Sequence, residues 1–304
     1  MCYNYYMKNQ PSKRKNRLGD RKDAWLVRNL DGMHVIMPFV YPNRADNEAF
    51  IRETIDLTPA LAYLEKKNEN NAHPELPYKI FHLVVAALVK TATLRPLLNR
   101  FIRGKRFWDR KELSAAFVVK KILEDNADEV VAYLNFPEDT TLDSIHEKIL
   151  KKVTSVRSGG KGIVDTMNFV AKMPHWLTGI VCTVVGWLDF HGRVPKSLMA
   201  GDPSYATFFI TNLGSIKLNA GYHHLSNRGS NSIFVTIGEM GQKPFYDEKG
   251  KVEMRTTLDI GITLDERIAD GVYYAKSIKL IKYLFAHPEL LDRPANESVN
   301  YEGK

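Results

Sequence analysis

Between Tyr78 and Leu94 the apolar positions Phe81, Val84, Val85, Leu88 and Val89 recur at the spacing of one helical face, and Pro96 ends the run. Thr141 to Val156 repeats that period, with Thr140 or Thr141 as the cap. Upstream, the pattern from Asn43 to Lys67 predicts a helix, then an extended Thr54 to Leu57, then a second helix opened by Thr58 and Pro59. The β-branched runs Ser114 to Lys120 and Val130 to Phe136 predict strands joined by the acidic turn Glu124-Asp125-Asn126. The last third changes character. Thr207 to Thr211, Ser232 to Ile237 and Leu258 to Thr263 are strand-like and separated by Gly-rich turns, and a helix is expected from Gly271 to Phe285. The most apolar run, Trp176 to Phe190, is shorter than the ~20 residues that span a bilayer. It is expected to be a buried helix, with contact to a lipid-like substrate as the alternative.

Residues 1–30 are predicted to form an arm, ended by a turn at Asp31-Gly32, and residues 31–304 a single α/β domain, since no repeat or linker divides positions 33 to 292. Apolar residues make up 44% and charged residues 26% of the 304, which suits a packed core and argues against general disorder. The net charge of +8 draws partly on Lys13, Arg14, Lys15, Arg17, Arg21 and Lys22. Such an arm can meet nucleic acid or an anionic membrane, but no zinc-finger spacing or RNA-binding aromatic signature accompanies it. It is read as a solvated terminus with no nucleic-acid partner, and the positive surface also suits a phosphorylated carrier. Two distant cysteines, Cys2 and Cys182, cannot make a disulfide framework, and MCYNYYMKNQ lacks the apolar stretch of a secretory signal. A reducing, cytoplasmic setting is expected.

Few patterns carry chemistry alone. Neither cysteine neighbours a histidine, and Cys182 within the apolar run is read as structural. Gly159-Gly160-Lys161-Gly162 lacks the spacing of a phosphate loop and is read as a turn. No histidine pair has zinc-helix spacing, and no carboxylate series has a calcium-loop pattern.

Four stretches, in order, say more. They are Ile55-Asp56-Leu57-Thr58; Ala86-Ala87-Leu88-Val89-Lys90 through Arg95-Pro96-Leu97-Leu98-Asn99; Phe209-Ile210-Thr211-Asn212-Leu213-Gly214-Ser215; and Asp265-Glu266-Arg267-Ile268-Ala269-Asp270-Gly271, followed by His287-Pro288-Glu289-Leu290-Leu291. Together they resemble the catalytic domain of the acyltransferase components of 2-oxo-acid dehydrogenase complexes, whose fold is that of chloramphenicol acetyltransferase. The family's form of the fourth stretch is Asp-His-Arg-x-x-Asp-Gly, so Glu266 stands where the resemblance implies a catalytic histidine. The family's Gly-Leu-hydrophobic-Val-Pro segment has no clean counterpart near Val130-Val131-Ala132-Tyr133, which weakens any expectation of a lipoyl substrate. The lipoyl-bearing and subunit-binding segments of the family are expected to be absent.

The resemblance implies a two-layer α/β sandwich with a mixed β-sheet, assembled as a homotrimer with sites in channels between subunits. It implies acyl-coenzyme A as co-substrate, with no permanently bound cofactor, and a small thiol, hydroxyl or amine acceptor. By motif, Thr211 would steady the oxyanion, Asp270 would brace the site through an arginine, and Asn212, Ser215 and Arg267 would line the carrier's path.

Glu266 then has to act as the base or mark its loss. An unperturbed glutamate titrates near ~4.3 against ~6.5 for histidine, so a carboxylate base needs an apolar setting that raises it. The alternatives are an ion pair between Glu266 and an arginine in an inactive ligand-binding or scaffolding trimer, or a base supplied by His223 or His224. Paired histidines in a polar loop are otherwise ordinary surface residues.

Overall fold

The computed structural model describes residues 14–71, 73–120, 129–157, 172–199, 201–246 and 249–302. Lys13, Cys2, the turn at Glu124-Asp125-Asn126 and the run Gly159 to Gly162 lie outside the described residues.

Strand β1 (Ala24–Leu26) and helix α1 (Gly32–Val40) precede β2 (Glu48–Asp56) and α2 (Thr58–Glu69). Helix α3 (Ile80–Leu94) leads to β3 (Arg100–Arg103), β4 (Arg106–Arg110), β5 (Leu113–Lys120) and β6 (Glu129–Phe136). Helices α4 (Leu142–Arg157) and α5 (His175–Phe190) follow, then β7 (Phe208–Asn212), β8 (Ile233–Tyr246), β9 (Val252–Asp265) and α6 (Gly271–Ala286). Six strands make a mixed sheet in the order β2-β9-β8-β7-β5-β6, with β7 parallel to both neighbours; β1, β4 and β3 make a small antiparallel sheet. This is the expected α/β sandwich with a mixed sheet.

Strand parity sorts the sheet's residues. Phe208, Ile210, Ile233, Val235, Ile237, Ile260, Ile262 and Leu264 are buried in one core with α3 and α6. Because neighbours along a strand face opposite ways, Phe209, Thr211, Phe234, Thr236, Gly261, Thr263 and Asp265 share the other face. Helices close the first face; the segment Lys217 to Gly229 crosses the second. It fits because two positions lack side chains. A Cβ at Gly261 would lie 2.1 Å from the Gly221 carbonyl oxygen, and one at Gly229, whose φ is +73°, would lie 2.3 Å from that of Ser204.

Four expectations change. The helix expected across Asn43 to Glu53 is a single 3₁₀ turn and then β2, because Ile51 and Ile55 point to the core while Phe50, Arg52 and Thr54 point away, in full register with β9. Asp31 starts a helix, not a turn, accepting a hydrogen bond from the His34 amide at 3.0 Å. Part of the arm is built into the body: Ala24–Leu26 pairs with β4, and buried Arg21 stacks over Phe101 and Trp108 and reaches the Asp189 carbonyl. The apolar run forms α5 as a helix, but it is not buried. Trp176, Ile180, Val184, Trp187 and Cys182 face solvent, and Asp189 is its one fully buried residue. None of the described helices is long and apolar enough to cross a membrane.

Candidate active site

Strand β7 ends at Thr211-Asn212, and the chain turns at once through a 3₁₀ turn, Leu213–Ile216. Asn212 sets that turn, its side chain accepting from the Ser215 amide at 3.3 Å while the Ser215 hydroxyl donates to the Asn212 carbonyl at 2.7 Å. Thr211 is half-buried on the helix-free face. Among the described residues its hydroxyl has no hydrogen-bond partner, so it is available to donate to an oxyanion.

Strand β9 delivers the other motif. Asp265, its last residue, is completely buried and takes Arg267 in a two-point pair, Nε to Oδ1 and Nη2 to Oδ2, both at 2.7 Å. Arg44 approaches the same carboxylate, Nε to Oδ2 at 3.6 Å. Burial pulls the Arg44 guanidinium down to about 10 against the opposing pull of Asp265. Arg267 was expected along the carrier's path. It is instead turned inward, held by Asp265 and the Tyr41 carbonyl. Glu266, between these two buried residues, points out; among the described residues it has no ion pair.

Asp270 caps α6 by accepting from the Tyr273 amide at 2.7 Å. No arginine pairs with it among the described residues, so the arginine brace expected there falls on Asp265. Asp265 and Arg267 both stand in the fourth stretch, while the second arginine, Arg44, comes from the entry to β2, far away in the chain.

His223 and His224 lie exposed in the segment crossing the sheet. The His223 ring stacks on Phe234 with centroids 4.3 Å apart and on His224 at 4.6 Å, and its Nδ1 meets the His224 carbonyl at 3.0 Å. The chain just beyond is pinned from three sides. The Gly229 amide donates to Asp189 at 2.9 Å, Arg103 donates to the Asn227 carbonyl at 2.7 Å, and Arg44 donates to the Ser226, Ile102 and Gly229 carbonyls. Asp189, completely buried, is itself held by Arg103 at 2.7 Å and the Tyr205 hydroxyl at 3.1 Å.

Thr211 and the two histidines therefore lie on one face of the sheet, and Glu266 lies just past the end of β9. Phe234 is in register with Thr263, three residues before Glu266, so His223, His224 and Glu266 share one end. Thr211 is in register with Thr236, which is in register with Gly261. Thr211 and Glu266 are thus two strand spacings and five residues of rise apart, about 19 Å within one chain. Within one chain the Thr211 hydroxyl and the Glu266 carboxylate are therefore too far apart to meet at one reacting atom.

No curated protein sequence matches the chain. The family model described as 2-oxoacid dehydrogenases acyltransferase (catalytic domain) matches residues 194–292, which include β7, β8, β9, α6 and every candidate above. The cubic core of a pyruvate dehydrogenase multienzyme complex superposes with a TM-score of 0.58 at 15% identity, covering 87% of this chain and 94% of that one. A probable dihydrolipoamide acetyltransferase from Listeria monocytogenes gives 0.56 at 12% identity, covering 90% and 97%. A chloramphenicol acetyltransferase gives 0.51 at 11% identity, covering 86% and 99%. Residues 194–292 are accordingly similar to the catalytic domain of the 2-oxoacid dehydrogenase acyltransferases, and the described chain has the fold that those cores share with chloramphenicol acetyltransferase.

Proposed function

We propose that the chain is an acyltransferase that works as a homotrimer, moving an acyl group from coenzyme A to a small thiol, hydroxyl or amine. The carrying observation is the separation of the candidates along the sheet, Thr211 at the end of β7 and Glu266 with His223 and His224 toward the end of β9. On this reading the Glu266 carboxylate of one protomer takes the proton from the acceptor as its heteroatom attacks the thioester carbonyl. The Thr211 hydroxyl of the adjacent protomer donates to the oxyanion. Collapse breaks the carbon–sulfur bond, and the departing thiolate recovers the proton. Enclosure by the neighbour would supply the apolar setting that a carboxylate base needs. His223 and His224 are the alternative proton acceptors at the same end.

The test is acyl transfer from acyl-coenzyme A to a panel of acceptors. Thr211→Ala should lose ~10²–10³ in rate, the usual value of an oxyanion donor. Glu266→Gln should abolish transfer if the carboxylate is the base and leave it intact if a histidine is. A non-catalytic trimer is the second reading, favoured by the carboxylate at the expected histidine position. Absence of coenzyme A binding by calorimetry would support it.

A further inference from the structure

Helices α1 and α5 both expose apolar faces, and the turn between β3 and β4 joins them. A Cβ at Gly104 in that turn would lie 2.3 Å from the Phe190 carbonyl oxygen at the end of α5, and the Lys105 ammonium sits 4.7 Å from the ring centre of Phe39 on α1. On α5 the exposed stripe Trp176, Ile180, Trp187 follows helical spacing, with the two indoles 69% and 54% exposed. On α1 Met33, Ile36 and Phe39 are 70%, 58% and 59% exposed. A soluble protein rarely leaves apolar side chains in such number uncovered on neighbouring elements.

The charge around it selects the occupant. Lys105, Arg106, Lys172 and Arg193 are exposed at its border. Within 31–41, 103–107 and 172–194 the carboxylates are Asp31, paired with His34 at 2.7 Å, and buried Asp189, paired with Arg103. An uncharged stripe with tryptophan at both ends and a basic margin matches the interfacial zone of an anionic bilayer, where indoles settle at headgroup depth.

We propose that α1 and α5 together form a platform that docks the protein on anionic phospholipid membranes. Membrane docking stands apart from the acyl-transfer reading, and Thr211→Ala should bind vesicles as the unaltered protein does.

Co-sedimentation with phosphatidylcholine vesicles, with and without phosphatidylglycerol, tests the platform. Binding is expected to the anionic vesicles and to weaken with salt. Trp176→Ser combined with Trp187→Ser should lower it more than ~10-fold. Lys105→Glu combined with Arg193→Glu should lower it at least ~25-fold, at about fivefold for each basic residue removed. No binding to either vesicle, or unchanged binding by the tryptophan variant, would overturn the proposal. Light scattering decides the remaining case: a tryptophan variant that loses an oligomeric state held by the unaltered protein would make this face a subunit interface and overturn it too.

Discussion

If Thr211 and Glu266 serve one reaction from two protomers, two inactive variants should repair each other. Consider Glu266→Gln and Thr211→Ala, each disabling a different half-site about 19 Å from the other in the same chain. Mixed in equal amounts by co-expression, they assemble at random around a closed ring. An interface works only when the Glu266 side comes from the Thr211→Ala chain and the Thr211 side from the Glu266→Gln chain. Each condition holds for half the protomers, so roughly one interface in four is whole and about a quarter of full activity returns. The assay is initial-rate acyl transfer by the co-expressed mixture against the sum of the separately purified parents. Both substitutions touch surface or half-buried side chains at strand ends, so folding of the parents is not at risk. Activity of the mixture no higher than that sum would place the whole site within one protomer, or deny the pair a shared reaction.

Two further outcomes follow from buried groups. His82 is buried beside His146, its Nδ1 accepting from the Lys79 amide at 2.9 Å, and desolvation pulls the imidazole down to about 3, with His146 displaced the same way. A histidine held neutral in the fold contributes stability above the unfolded value of ~6.5 that is lost as pH falls toward the folded one, about 2 kcal/mol from His82 by pH 5. Denaturant midpoints taken from pH 7 to pH 4 should show this slope, and His82→Gln should flatten it; an unchanged slope would contradict the assignment. Arg44→Met removes a buried cation that approaches Asp265 and donates to the Ser226, Ile102 and Gly229 carbonyls, and should cost ~3–5 kcal/mol in urea unfolding. A cost under ~1 kcal/mol would mean that Arg267 alone satisfies the brace.

The strand cores Phe208 to Thr211, Ile233 to Ile237 and Leu258 to Thr263 and the helix from Gly271 could be read from sequence because their signals are local, β-branched runs and glycine turns, whereas the outer halves of β8 and β9, Gly238 to Tyr246 and Val252 to Thr257, were not predicted. The start of β2 escaped because Glu48, Arg52 and Glu53 blur its alternation, and only pairing with β9 shows which side is inside. Trp176 to Phe190 misled in another way. Apolar character states that a surface wants to leave water, not whether its own core or another body covers it. Thr211 and Glu266 were legible as motif members, whereas their separation along the sheet needed the register of three strands. Asp265 lay within the quoted motif without a role, since its second partner, Arg44, sits at a distant point of the chain.

The distance between the two half-sites also bears on when the protein becomes competent. A freshly synthesised chain would carry both chemical groups yet hold them too far apart to waste thioester on water. Turnover would switch on by mass action as subunits meet, and dilution would switch it off without unfolding anything. Strand rigidity would thus act as a safeguard against premature hydrolysis.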